Sequence, residues 1–511
     1  MPTPSTPSSS LPQAIASDRS YSRQDWQKGY QSLTSEQDYW IDDVQGTIPA
    51  DLEGTLFRNG PGQLEIHGQP LQHPFDGDGM ISSIAISQGR AYFRNRFVRT
   101  QGFVEEQAAG KVLYRGTFGT QKPGGWLANA FDFRLKNIAN TQVIYWGDKL
   151  LALWEAAEPH RLDPQTLDTL GLEYFDGALQ PGQSFAAHPW IDPSCDRYGG
   201  EPCLVNFAVR PEGRSTQITV YELNRAGQVT WERSQSVPGF AFIHDFAITP
   251  DYCIFFQNPV DFNLLPFALG LKGAAQCITF QAQKPTQVIL IPRHSDRPMQ
   301  TLSMPAGFVF HHANAFQDGD DLVIDSICYA DFPTVEPNQD FRQVDFDRLP
   351  AGQLWRFRMQ PASGTIQRQL LDERCCEFPT LHPDHVGRPY RYAYLAAAHH
   401  PTGNAPLQAI AKVDLETGDR HLWSAAPRGF TSEPVFVPKS AHTSSSFEDA
   451  GWLLTLVFDA EQERSHLVIL DAEDLGRGAI ADLWLKDSIP YGLHGTFTPH
   501  YFGPDLRPSA L

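Results

Sequence analysis

The sequence predicts an all-β fold, a β-propeller with long loops capping one face, and three observations carry that prediction. A short apolar strand, a polar turn and a second strand recur seven times along the 511 residues. The 40 Pro and 40 Gly are spread along the chain rather than clustered, which calls for many turns and short elements. No long helical apolar period lies between the hairpins. Radial repetition of such β-meanders gives propellers of about four to eight blades.

In chain order, the hairpins begin with IAIS-QGR-AYF around Ser87, HRLD-PQT-LDTL around Asp163 and YELN-RAG-QVTW around Asn224. ILIP-RHS follows around Pro292, then RFRMQ-PASG-TIQ around Gln360, VDLE-TGD-RHLW around Glu416 and VILD-AED around Asp471. The intervals are 76, 61, 68, 68, 56 and 55 residues. Compact blades need roughly 40–50, so the excess leaves room for long loops. Unrelated hairpins in two or three β-sandwiches would supply the same elements but not a near-regular period. Ahead of the repeats, residues 1–24 are rich in Ser, Pro and Thr and read as a disordered tail, not a signal peptide. Residues 25–511 read as one domain. Two segments break the pattern. Residues 258–273 (NPVDFNLLPFALGLKG) lie outside any strand alternation and are either a buried loop or an exposed apolar patch for lipid or a greasy ligand. Residues 439–450 (KSAHTSSSFEDA) read as a polar surface loop.

Bulk properties exclude some functions. A net charge of −19 argues against nucleic acid as a partner, because phosphate binding needs a basic surface. The seven cysteines form no zinc-type pairs and no disulfide framework, which reads as a reducing compartment. No stretch reaches the ~18 apolar residues of a spanning helix, so the expectation is a cytoplasmic protein, free or resting on a membrane face.

Four of the 17 histidines stand in unusual settings. His188 ends SFAAH, His244 ends GFAFIH, His311 ends GFVFH and His494 ends YGLH, each after a short apolar, strand-like stretch. A buried imidazole needs partners for both nitrogens. Their separations of 56, 67 and 183 residues are about one, one and three blades, so inner strands could bring them to a common axis. Neutral imidazoles suit Fe, Cu, Zn and Ni, and a set without thiolate does not fit structural zinc. Octahedral iron on four histidines would keep two positions open. A ligand histidine usually donates its other N–H to a carboxylate or carbonyl. Glu155 in LLALWEAAEP, Glu377 in CCEFP and Glu433 in TSEPVFVP, all in apolar or Pro-rich strand contexts, are candidates for that role. Phe242 and Phe310, beside ligand candidates, could line an apolar tunnel or simply fill the core. There is no G-x-S-x-G elbow and no P-loop, and DGDG at 76–79 lacks the rest of a calcium loop.

These contexts, with RNGPG (58–62), HPFDGDGM (73–80), FVRTQG (97–102) and LLALWE (150–155), resemble the carotenoid cleavage oxygenases from about residue 20 to 500. RLKNIANT, AFIHDFAIT, FVFHHANAF, PTGNAPLQAI and GLHGTF are most similar to the retinal-forming apocarotenoid oxygenases of cyanobacteria. The resemblance implies a seven-bladed propeller and one Fe2+ per chain on His188, His244, His311 and His494. It also implies that Glu155, Glu377 and Glu433 hydrogen-bond three of the ligands, and it selects His311 over its neighbour His312. Thr141, in the NIANT segment, matches a threonine that shapes the open side of the iron.

The implied reaction inserts O2 across the 15,15′ double bond of an apocarotenal or apocarotenol, giving retinal and a second aldehyde, with no catalytic residue beyond the metal centre. An apolar polyene would thread a long tunnel, and the 258–273 segment would meet the membrane at its mouth. Rival readings are cleavage of a stilbene, cleavage of another carotenoid bond, a non-catalytic propeller used as a binding platform, and a zinc hydrolase.

Overall fold

The computed structural model describes residues 20–333, 340–439 and 447–506. Most of the expected N-terminal tail and of the 439–450 loop therefore lies outside the described residues. Within the tail, Ser20–Gln24 is described, and Ser22 caps a helix over Arg23–Lys28.

The strands form seven antiparallel sheets of at least four strands each. Blade 1 contains Gly54–Pro61, Gly79–Ser87 and Arg90–Phe97, and blade 2 runs from Gln142–Trp146 to Thr169–Leu172. Blade 3 runs from Trp190–Asp192 to Val229–Pro238, and blade 4 from Ala247–Ile248 to Gln300–Met304. Blade 5 runs from Phe308–Asp318 to Thr365–Asp372, blade 6 from Cys376–Thr380 to Arg420–Ser424, and blade 7 from Gly429–Thr431 to Ala479–Trp484. Each of the seven hairpins read from sequence is a pair of neighbouring strands in one blade, the outermost pair in blades 2 to 6. Both chain ends close the ring. The C-terminal strand Gly495–Thr498 is the innermost strand of blade 1, and the N-terminal strands Asp38–Trp40 and Val44–Gly46 edge blades 1 and 7.

The core lies between the blades. In blade 4, Cys253 and Phe255 pack against Val205, Phe207 and Val220 of blade 3. The alternate residues Ile254 and Phe256 pack against Ile324, Phe357 and Met359 of blade 5. A strand buried on both faces reads as a continuous apolar run, which is why YCIFF shows no alternation. A comparable cluster fills every other interface, from blades 1 and 2 round to 7 and 1. Burial this even holds the inner strands rigidly around the axis, where the histidines lie.

Candidate metal centre

Each blade contributes one of the seven predicted residues. His494 immediately precedes the innermost strand of blade 1, His188 lies two residues before that of blade 3, His244 three residues before that of blade 4, and His311 lies within that of blade 5. Glu155 follows the second strand of blade 2, Glu377 lies on the innermost strand of blade 6, and Glu433 follows that of blade 7. The blade steps between the histidines are one, one and three, matching the sequence intervals.

The four imidazoles converge, each offering a ring nitrogen within 4.8 Å of the others. His188 Nε2 lies 2.9 Å from His244 Nε2, which lies 3.3 Å from His311 Nε2. Behind them, His244 Nδ1 is 2.9 Å from Glu155, His311 Nδ1 2.5 Å from Glu377, and His494 Nδ1 2.7 Å from Glu433. A carboxylate accepts only a proton, so each of these Nδ1 atoms carries N–H and each Nε2 turns a lone pair inward. Two inward lone pairs 3.3 Å apart repel unless a cation lies between them. Nitrogens at about 2.1 Å on adjacent octahedral positions are separated by about 3.0 Å, close to the values found. The donor set therefore fits a divalent transition metal.

The electrostatics agree. Burial and the neighbouring imidazoles hold His188 well below its ordinary pKa, which keeps it neutral. Burial alone would raise the three glutamates. The hydrogen bonds donated by His244, His311 and His494, joined at Glu433 by the Arg58 charge, pull against it, and all three fall below the ordinary range.

The bulge that separates His311 from His312 decides between them. His311 faces the cluster, whereas His312 Nδ1 meets Ser326 Oγ at 2.8 Å and its ring packs on Phe256. Thr141 lies at the site's edge. Its carbonyl accepts the His494 N–H at 3.1 Å, and its hydroxyl reaches Glu155 at 3.5 Å.

A family model described as "Retinal pigment epithelial membrane protein" matches residues 30–499. The chain belongs to this family, that of the carotenoid cleavage oxygenases. The family is one of non-haem iron oxygenases. Apocarotenoid-15,15′-oxygenase of Synechocystis sp. is 55% identical over 489 residues, covering 96% of this chain and 99% of that one. Isoeugenol monooxygenase of Pseudomonas putida is 30% identical over 468 residues, covering 89% and 93%. The crystal structure of the cobalt-substituted Synechocystis apocarotenoid oxygenase aligns with a TM-score of 0.92 over 94% of this chain and 99% of that one.

The family membership directs attention to the apolar surroundings of the histidines. Phe310 sets its ring edge-on to His244 at 5.5 Å. It also touches Phe308 and Phe332, which meet Phe242. The same cluster includes Phe240 and Phe262, and ring contacts continue through Phe267 to Phe133 at the surface. Phe242 and Phe310 thus begin an aromatic band that leads from the histidines to solvent.

At its outer end the 258–273 segment differs from expectation. It contains a short strand, Val260–Phe262, paired with Ile278–Phe280, and a helix, Leu264–Ala268. Phe267 is buried beneath the Arg115 guanidinium, while Leu264, Leu265 and Leu271 are exposed. The Phe131 N–H donates to the Ala268 carbonyl at 2.7 Å, which brings the exposed Trp126, Leu127, Phe131 and Phe133 beside those leucines. Sequence reading missed this second half, although GGWLANAFDF carries the same mixture of exposed apolar and turn residues.

Three further residues around the histidines were not foreseen. Tyr329 donates its hydroxyl to Glu377 at 2.6 Å, and Phe378 packs against both His311 and His494. Phe378 holds φ +53, at a bulge that aims Glu377 inward. Arg58 pairs with Glu433.

Proposed function

We propose that this protein is an iron(II)-dependent dioxygenase that cleaves the 15,15′ double bond of an apocarotenal or apocarotenol to retinal and a second aldehyde. One Fe2+ per chain is held by His188, His244, His311 and His494, and O2 is the co-substrate. The observation that carries the reading is the inward convergence of four imidazoles, three of them fixed by carboxylates, in a chain 55% identical to an apocarotenoid-15,15′-oxygenase. When bound, the iron supplies O2 activation, which no side chain of the site can offer.

The chain's own residues do the rest. Glu155, Glu377 and Glu433 retain the Nδ1 protons of His244, His311 and His494, so that the Nε2 of each of these three stays a ligand. Thr141 shapes the open side. Phe310 and Phe242 exclude water and align the rigid polyene, so that threading depth chooses the bond. Each carbon of the broken double bond takes one oxygen atom, and no proton moves, so no acid–base residue is required.

The substrate partitions into lipid, and the exposed apolar residues at the end of the aromatic band suit a membrane-facing entrance. We therefore read the protein as cytoplasmic and peripheral, docked through Leu264, Leu265 and Leu271 together with Trp126, Leu127 and Phe131. No helix among the described residues is long and apolar enough to cross a membrane.

The relative named isoeugenol monooxygenase supports a second reading, a small phenolic alkene, at lower identity. Purified protein would be assayed with an apocarotenal, β-carotene, a hydroxystilbene and isoeugenol, with products identified by mass and iron counted per chain. Retinal from the apocarotenal with one iron per chain is expected. Cleavage of a phenolic substrate alone would overturn the substrate assignment. Absence of stoichiometric iron would favour a non-catalytic propeller.

A further inference from the structure

The RNGPG segment (58–62) has no part in the reading above, yet it lies against the metal centre. Arg58 sits on Gly54–Pro61 opposite Gly495, where the C-terminal strand closes the ring of blades. Its Nη1 donates to Glu433 Oε2 at 2.5 Å and its Nη2 to the Leu493 carbonyl at 2.9 Å. Glu433 Oε1 accepts from His494 Nδ1 at 2.7 Å, and Oε2 also accepts the Gly495 N–H at 2.8 Å. Arg58, Glu433, His494 and Leu493 thus close one loop of contacts, spanning a carboxylate and a carbonyl with the two arms of one guanidinium. A lysine has no such fork.

The arrangement is expensive unless it serves the site. The side chains of Arg58 and Glu433 are only 5% and 13% exposed, and Arg58 Nε is buried without a partner. The other two glutamates are supported differently. Glu377 receives the Tyr329 hydroxyl, Glu155 has the Thr141 hydroxyl at 3.5 Å, and among the described residues neither has a Lys or Arg within ion-pair distance. With neutral imidazoles, the three carboxylates are balanced when a divalent metal is joined by one further positive charge.

We infer that Arg58 is a positioning residue of the metal centre. It fixes Glu433, and through it His494, and among the described residues it is the one Lys or Arg paired with any of the three glutamates. This rests on the metal reading proposed above. It has a consequence for Glu433→Gln. Every group facing that carboxylate (Arg58, Gly495 N–H and His494 Nδ1–H) is a donor, so the amide N–H2 has nothing to bind and the guanidinium loses its counter-charge. Removing Arg58 as well should relieve both problems.

The test titrates Co2+ into metal-free wild type, H494A, E433Q, R58Q, R58K and R58Q/E433Q, with folding followed by circular dichroism. E433Q is expected to bind about 100-fold more weakly, and R58Q/E433Q to recover to within about tenfold of wild type. In the iron-loaded proteins, the iron(III)/iron(II) midpoint potential should fall in R58Q, which loses a positive charge, and hold in R58K. A double variant no better than E433Q, or an unchanged potential in R58Q, overturns the inference. Should E433Q fail to fold, the potentials of R58Q and R58K decide. If wild type takes up no stoichiometric Co2+, or H494A binds it equally well, the metal reading fails and this inference with it. Wild-type binding without rescue sinks the arginine role alone.

Discussion

Replacing Glu377 by Gln removes one charge from the metal centre while keeping the side chain's shape, and the surrounding donors set the size of the effect. Glu377 Oε2 accepts from His311 Nδ1 at 2.5 Å and from the Phe378 N–H at 2.8 Å, while Oε1 accepts the Tyr329 hydroxyl at 2.6 Å. The amide can turn its oxygen to His311 and Phe378 and its N–H2 to Tyr329. A hydroxyl can reverse from donor to acceptor, so every contact survives. What is lost is charge assistance, a difference of about 1–1.5 kcal/mol, or about tenfold in metal affinity. Glu433→Gln has no reversible neighbour and should be about tenfold worse again, within the about 10- to 100-fold range of such ligand-supporting residues. Removing the reversible partner in Y329F/E377Q should bring that site down to the E433Q level, because a buried, unpaired N–H costs about 1–3 kcal/mol. Co2+ titration of the metal-free proteins, with the melting temperature of each, measures all three. The reasoning is refuted if E377Q binds as weakly as E433Q, or if Y329F/E377Q binds no more weakly than E377Q.

Three further outcomes are expected. Leu127→Ser and Leu265→Ser remove apolar surface that is 72% and 66% exposed, and each should lower partition onto neutral liposomes by about tenfold in a flotation assay, whereas Phe267, being buried, should respond in melting temperature instead. Phe310→Ala should lower kcat/KM for an apocarotenal by about tenfold through loss of about 1.5 kcal/mol of ring contact, with metal content unchanged; equal loss of metal would assign Phe310 to the fold. His160 is buried with Nδ1 unpaired, and burial pushes its pKa down to about 4. The unfolded chain therefore binds that proton first. The stability is present above about 6.5 and is lost as pH falls towards about 4, by at most about 3 kcal/mol. His160→Gln should flatten the dependence of melting temperature on pH across that window in the metal-free protein, and an unchanged slope would count against it.

The fold was legible because a propeller writes its period into local hairpins. Turns such as YELN-RAG-QVTW need only neighbouring residues to form, so their recurrence declared a propeller without any long-range information. The histidines were legible for a related reason. Ligands on inner strands inherit the blade interval, and an imidazole at the end of an apolar run has few other means of satisfying both nitrogens. What escaped was everything that depends on a second chain segment meeting the first. Phe267 and Leu265 lie two residues apart in one apolar segment, and only the packing of Arg115 and Phe133 over the former separates core from surface. Tyr329, 48 residues from Glu377, and Arg58, 375 residues from Glu433, carry no local mark of their role. Arg58 in particular is tied to His494 only because the last strand returns to the first blade. The strand pair that closes the ring therefore also brings the arginine to the ligand's carboxylate. A perturbation of that closure should reach the metal before it reaches the remaining blades, whose interfaces have their own separate clusters.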